Sequence, residues 1–262
     1  MSSEKDLESL RAVAVGAAHE GGRVIIDAGS GARAAEEKSA GDYVTKTDRL
    51  AEEAIGVYLG GRTPDLPVVG EEYGGDPSNQ YWLVDPLDGT TNFLHRFPIV
   101  GVSVTLIAEG RPVVGATHAP LLRTTFSAAR GLGAQQDGRP LTVSAAEPEA
   151  AIVATGFPFR EKDRLPRYLR MFERALDRFE DLRRPGAATL DLAWVAAGAF
   201  DGFFELGLSS WDVAAGALLT EEAGGIATDW EGGSDYLRGD ILAGPPVVHE
   251  ALLTLAQETG GE

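Results

Sequence analysis

Two short apolar runs, "LPVVGEE" at 66–72 and "QYWLVD" at 80–85, end in carboxylates, and a third acid, Asp212, stands just ahead of a helical pattern in "SSWDVAAGALLTEEAGG" at 209–225. Elements that end in acid come naturally to one edge of a layered fold, where a site forms. The stretch "DPLDGTTNF" at 85–93 concentrates the pattern, with Asp85 and Asp88 three residues apart around a proline. Two readings stand at this point. The first is an ordinary capped loop, with Asp85 ending a strand and Asp88 capping a short helix that begins at Gly89 to Thr91. The second is a tight turn that brings both carboxylates and the Leu87 carbonyl around one hard cation such as magnesium. The acids at "VVGEE" and "SSWD" weigh against the first.

The rest of the composition narrows the chemistry. The chain has no cysteine and only four histidines (His19, His95, His118 and His249), scattered without zinc-site spacing, so any metal site must be mostly oxygen. Its formal charge of −17 has the wrong sign for non-specific nucleic-acid binding and suits solubility. No apolar stretch approaches the roughly 20 residues needed to cross a bilayer, so no membrane partner is expected. The first residues, "MSSEKDLESL", lack a secretion signal, and a cytoplasmic location is expected.

A chain of 262 residues that is 44% hydrophobic has material for one extended domain or two closely packed halves. Apolar spacing predicts a helix over 4–28 and another over 47–61, the latter with Leu50, Ala54 and Tyr58 on its buried stripe. Between them, "EEKSAGDYVTKTD" reads as a loop or short hairpin. Alternating, β-branched sequence over 99–129 predicts sheet, with a hairpin at Asp137-Gly138. A surface helix is expected over 163–180, then a second block: a helix at 188–200, the strand "GFFEL", a helix at 211–223, strands near "GIATDW" and "DILAGP", and a closing helix "VVHEALLTLAQE". The expected fold class is α/β in layers, with an N-terminal half at 1–145 and a C-terminal half at 146–262 that together make one compact catalytic unit.

"GEE" at 70–72, "DPLDGTTNF" at 85–93 and "WDVAAGALLTEEAGG" at 211–225 resemble the signatures of the inositol monophosphatase family. These are magnesium-dependent, lithium-sensitive phosphomonoesterases in a superfamily with fructose-1,6-bisphosphatase. The similarity extends to "GDYVTKTD" at 41–48 and "RRPGAATLDLAWVAAGAFDGFFE" at 183–205, nearly the whole chain. The resemblance implies an αβαβα five-layer sandwich, assembled as a homodimer, with Mg2+ as cofactor at two to three ions per site. It implies that Glu71, Asp85 and the Leu87 carbonyl hold one ion, that Asp85, Asp88 and Asp212 hold the second, and that a weaker third lies near Glu71. Asp88 and the amides of Gly89 and Thr90 would receive the phosphate, while Thr90, paired with Asp48, and Glu71 would orient the attacking water. On the alcohol side it implies Glu205, Asp212 and the backbone at Gly186 and Ala187.

The sequence departs from the family at Ala187, where relatives commonly carry threonine or serine, and this loosens the choice of alcohol. Lys38 either meets the phosphate from a loop or is an ordinary exposed lysine, and Asp42 supports a turn. His95 reads as solvent-facing, Arg96 beside it as shaping the rim or contacting another subunit, and Arg183 and Arg184 as a salt-bridged surface. The implied substrate is a small phosphate monoester, myo-inositol-1-phosphate first, histidinol phosphate second and fructose-1,6-bisphosphate third. A regulatory or scaffold role without turnover is the alternative from a different class.

Overall fold

The computed structural model describes residues 4–29, 35–39, 42–159 and 161–260, with residues 35–39, 42 and 43 described by backbone alone. Two helices, α1 (Glu4–Ala28) and α2 (Lys46–Arg62), flank a hairpin of β1 (Ala35–Ser39) and β2 (Asp42–Thr45). Lys38 and Asp42 lie in this hairpin, and their side chains fall outside the described residues. A seven-stranded sheet follows, in the order β3 (Val68–Gly70), β4 (Gln80–Asp88), β5 (Gly101–Ala108), β6 (Arg111–Ala119), β7 (Thr124–Ala129), β8 (Ala134–Gln136) and β9 (Arg139–Pro140). All its neighbours are antiparallel except β3 and β4. The short α3 (Thr90–His95) links β4 to β5.

A second sheet of five strands contains β10 (Ile152–Thr155), β11 (Asp181–Arg183), β12 (Gly202–Glu205), β13 (Ile226–Thr228) and β14 (Ile241–Gly244), ordered β11-β10-β12-β14-β13. Helices α5 (Ala188–Ala196) and α6 (Ser210–Glu222) pack against each other and against strands of both sheets. Helices α1 and α2 cover the outer face of the large sheet, while α4 (Leu165–Arg178) and α7 (Pro246–Thr259) pack on the small one. The result is an αβαβα sandwich of five layers, as the resemblance implied.

Burial explains the layer order. Helix α5 is buried over almost its whole circumference and α6 over nine of its residues, which suits helices enclosed between two apolar sheet faces. Helix α4, with an apolar stripe at Tyr168, Met171 and Ala175 and charges elsewhere, belongs outside. In α2 the buried stripe is Ala51, Ile55 and Leu59, one position on from the expected Leu50, Ala54 and Tyr58, and Leu50 is 43% exposed. Both triplets share the four-residue spacing. The observed one turns Asp48 and Glu52 inward beside it, and those two acids have partners elsewhere in the fold.

Helix α1 approaches β6 closely enough that a Cβ on Gly22 would lie 2.4 Å from the His118 ring. His118 packs edge-on to His19, with ring centroids 4.6 Å apart, and its Nδ1 lies 3.1 Å from the Thr124 carbonyl. Burial, and then the neighbouring His19, push the His118 pKa down from 6.5 to about 4. Between those values the unfolded chain binds a proton that the folded chain refuses. This contribution to stability is therefore complete above pH 6.5 and declines as the pH falls toward 4. Thermal unfolding followed at pH 7 and pH 4.5 should show a smaller acid-induced drop in Tm for His118→Gln than for the wild type.

Candidate active site

Strand residues alternate between faces, so Asp85 and Asp88, three apart, would point to opposite sides of a regular strand. The pairing of β4 with β5 removes that conflict: Asp85 stands opposite Ser103 and Asp88 opposite Gly101, so β4 carries one extra residue in a β-bulge. Strand β4 thus runs on through Asp88, and the expected tight turn is a bulge within it. The helix cap is Gly89, in the left-handed region at φ 85°, and not Asp88. A Cβ there would lie 2.9 Å from the Ile99 carbonyl, which gives the position a second reason to be glycine.

The bulge delivers the two carboxylates to one point. Asp85, Asp88 and Asp212 each offer an oxygen within 4.8 Å of the others, a cluster able to hold a divalent cation. Each is fixed by the backbone: Asp85 Oδ1 accepts from Leu87 N at 3.0 Å, Asp88 Oδ2 from Thr189 N at 2.8 Å, and Asp212 Oδ2 from Ser209 N at 2.7 Å. Asp85 is 1% exposed. Burial first, and then the charges of Glu71, Asp88 and Asp212, raise its pKa well above the ordinary carboxylate range. A cation among these oxygens would reverse that field, so the all-oxygen donor set fits a hard metal.

Glu71 lines the same cavity, whose volume is about 390 Å³, as do Leu87, Gly89, Thr90 and Asp212. Its loop is held by Glu52, which accepts from Glu72 N at 2.8 Å and Tyr73 N at 3.0 Å. One turn earlier on α2, Asp48 accepts from the Thr90 hydroxyl at 3.0 Å, across 42 residues of chain. The structure therefore joins the expected Thr90 and Asp48 pair. Asp48 is itself anchored by the Thr45 amide at 2.9 Å and by the Thr45 hydroxyl, a capping box at the start of α2. Burial raises its pKa.

A model of the inositol monophosphatase family matches residues 6–260. The chain belongs to this family. It is 45% identical over 230 residues to a Pseudomonas aeruginosa protein named Nus factor SuhB, covering 84% of this chain and 85% of that one. Its fold matches the extragenic suppressor protein suhB from Bartonella henselae with a TM-score of 0.91 at 36% identity, over 97% of this chain and 100% of that one. It also matches an inositol monophosphatase from Anabaena with a TM-score of 0.87 at 32% identity, over 97% of each chain. Membership supports phosphatase activity on a small phosphate monoester.

Gly186, Ala187, Asp191, Glu205 and the segment 156–159 also line the cavity. Asn92, on α3, donates to the carbonyls of Ile99, Pro185 and Gly186 at 2.8–3.2 Å, tying that helix to this wall. A Cβ on Gly156 would lie 2.0 Å from Glu205 Oε1, so this glycine makes room for the Glu205 carboxylate. His95 and Arg96 are exposed and lie outside the cavity lining, and Arg183 pairs with Asp181 at 2.5 Å. Arg184 departs from the expected salt-bridged surface. It lines the cavity, with its guanidinium 5.3 Å from the Phe157 ring and 5.5 Å from the Phe159 ring.

Sequence reasoning missed Glu52, Asn92, Thr189 and Asp191. For Glu52 a signal existed, since it stands four residues after Asp48 and therefore on the same helix face. Thr189 gave none: its hydroxyl donates to Asp88 Oδ2 at 2.6 Å across 101 residues. With both its amide and its hydroxyl on one oxygen, Thr189 fixes the Asp88 rotamer. Groups that orient a metal ligand typically account for about 10- to 100-fold in metal affinity. Thr189→Val, which keeps shape and loses the hydroxyl, should weaken Mn2+ binding by roughly tenfold in a calorimetric titration.

Proposed function

We propose that the chain hydrolyses a small polyol phosphate monoester, myo-inositol-1-phosphate first, by attack of a positioned water on phosphorus. The observation that carries this reading is the convergence of Asp85, Asp88 and Asp212 on one point of a cavity that also presents the Thr90 and Asp48 pair. Glu71, Asp85, the Leu87 carbonyl, Asp88 and Asp212 would hold two to three magnesium ions. When bound, magnesium supplies Lewis-acid charge that lowers the pKa of water and neutralises the phosphate oxygens.

The remaining work falls to the chain. The Thr90 hydroxyl has a single proton, directed at Asp48 Oδ1 or at the Leu87 carbonyl 3.2 Å away, so its lone pairs are left to accept from water. Glu71 accepts the other proton of that water, which orients its oxygen toward phosphorus. Gly89 and Thr90, with Asp88, receive the phosphate. As the new P–O bond forms, the water passes one proton to Glu71, the bond to the ester oxygen breaks in line with it, and the alkoxide takes up that proton to leave as the alcohol. No covalent phosphoenzyme and no catalytic histidine is needed. Glu205, Asp212 and the backbone at Gly186 and Ala187 would hold the alcohol. With no hydroxyl at Ala187, other polyol or amino-alcohol phosphates stay within reach, histidinol phosphate before fructose-1,6-bisphosphate. A homodimer acting in the cytoplasm completes this reading.

Asp88→Asn should lose phosphate release in magnesium, and full retention of activity would sink the metal mechanism. Thr90→Val should lower kcat by about a hundredfold with little change in KM, since misplacing a reacting group by an ångström has that effect. Comparing kcat/KM for the three substrates tests the choice of alcohol. A value for either of the other two that exceeds inositol-1-phosphate by roughly tenfold would displace it.

A second reading, that the chain serves as a Nus factor, is favoured by the name of its 45% identical Pseudomonas relative. It would take precedence if the wild-type protein released no phosphate from any member of a broad panel of monoesters.

A further inference from the structure

The alcohol side of the cavity holds a carboxyl that the reaction above does not use. Asp191 stands in the first turn of α5, is 1% exposed and lines the same cavity as Glu205. Its backbone is fixed, with the amide donating to the Ala187 carbonyl at 2.9 Å. Its side-chain Oδ1 has no hydrogen-bond partner among the described residues. Asp85, Asp88 and Asp212 differ in this respect, because each accepts from a backbone amide. Burial, and then the charges of Glu205 and Asp88, raise the Asp191 pKa well above the carboxylate range, with Arg184 acting in the opposite direction.

Buried polar atoms in folded proteins almost always have partners, and an exception at a cavity wall points to a partner that arrives from the cavity. Packing alone would not call for an acid here, since Ala193, Val195 and Ala196 fill the following turn of the same helix with apolar groups. We propose that Asp191 is a substrate-binding residue that accepts a hydrogen bond from the alcohol portion of the phosphate ester, and that with Glu205 it selects alcohols carrying several hydroxyl donors. The assignment rests on the phosphatase reading and adds its selectivity. An ionised carboxylate accepts through both oxygens and a neutral acid accepts through its carbonyl oxygen, so the contact holds in either state. An alcohol without donors leaves both side chains unmatched, and sites built for a hydroxyl discriminate strongly against analogues that lack it.

The test compares inositol-1-phosphate with 4-nitrophenyl phosphate, whose leaving group has no hydroxyl donor while it is esterified. In saturating magnesium, Asp191→Ala should lower kcat/KM for inositol-1-phosphate by about tenfold or more, mainly through KM, as loss of a binding contact does. Its loss of kcat/KM for 4-nitrophenyl phosphate should be at least about fivefold smaller than its loss for inositol-1-phosphate. Asp191→Asn, which keeps the shape and one acceptor oxygen, should retain most of the preference and serves if the alanine variant does not fold. Equal losses on both substrates, or no loss on either, would overturn the assignment while leaving the phosphatase reading standing. A wild-type protein that cleaves neither ester would overturn both.

Discussion

Mutual repulsion among buried carboxylates is the constraint around which this fold is arranged. Asp85 is almost fully enclosed, with Glu71, Asp88 and Asp212 acting on it as like charges. Such a cluster resists assembly unless the scaffold imposes it or a cation compensates it. The imposition comes from several independent elements. A bulge in β4 aligns two aspartates, the first turn of α6 presents a third, and a loop after β3 presents the glutamate. Because each is anchored through its own backbone contacts, the acids are placed by the sandwich and not by one another.

The same device sets two of the site aspartates. Asp48 and Asp212 both occupy the third position of a helix and accept from the amide of the residue before it, at 2.9 Å and 2.7 Å. The positive end of a helix favours an acid there, so a local rule of helix initiation does long-range duty. Helix α2 extends this economy: Asp48 reaches Thr90, and Glu52, one turn on, holds the backbone beside Glu71. Thr90 and the backbone beside Glu71 therefore share one rigid support.

Much of this was legible in the sequence. Helical and alternating periodicities located nearly every element, because burial on one face leaves a period. The acids of the candidate site stood out because they interrupt apolar runs. Two kinds of feature stayed hidden. One was register: Leu50, Ala54 and Tyr58 and the observed Ala51, Ile55 and Leu59 satisfy the same spacing, and only tertiary packing chooses between them. The bulge at Asp85 and Asp88 belongs here too, since strand pairing defines it. The other was partnership over distance. Thr189 meets Asp88, and Asn92 meets Pro185 and Gly186, through chain separations that no local pattern encodes. The five-layer order came from family resemblance, because periodicity says which elements form but not how they stack.

Helix α5 lies between the two sheets, and eight of its nine residues are buried. It is at once core and cavity wall: Ala188 and Asp191 face the cavity, while Leu190 and Leu192 are packed inside. A change in this wall is consequently also a change in the packing of both sheets. The aromatic rim is tied more loosely: Phe157 and Phe159 are partly open to solvent, and Phe157 meets the core edge-on through Tyr168. Descendants of this protein that adopt new alcohols have a conservative flank and a permissive one, and divergence in substrate choice should accumulate on the aromatic rim before it reaches the helix.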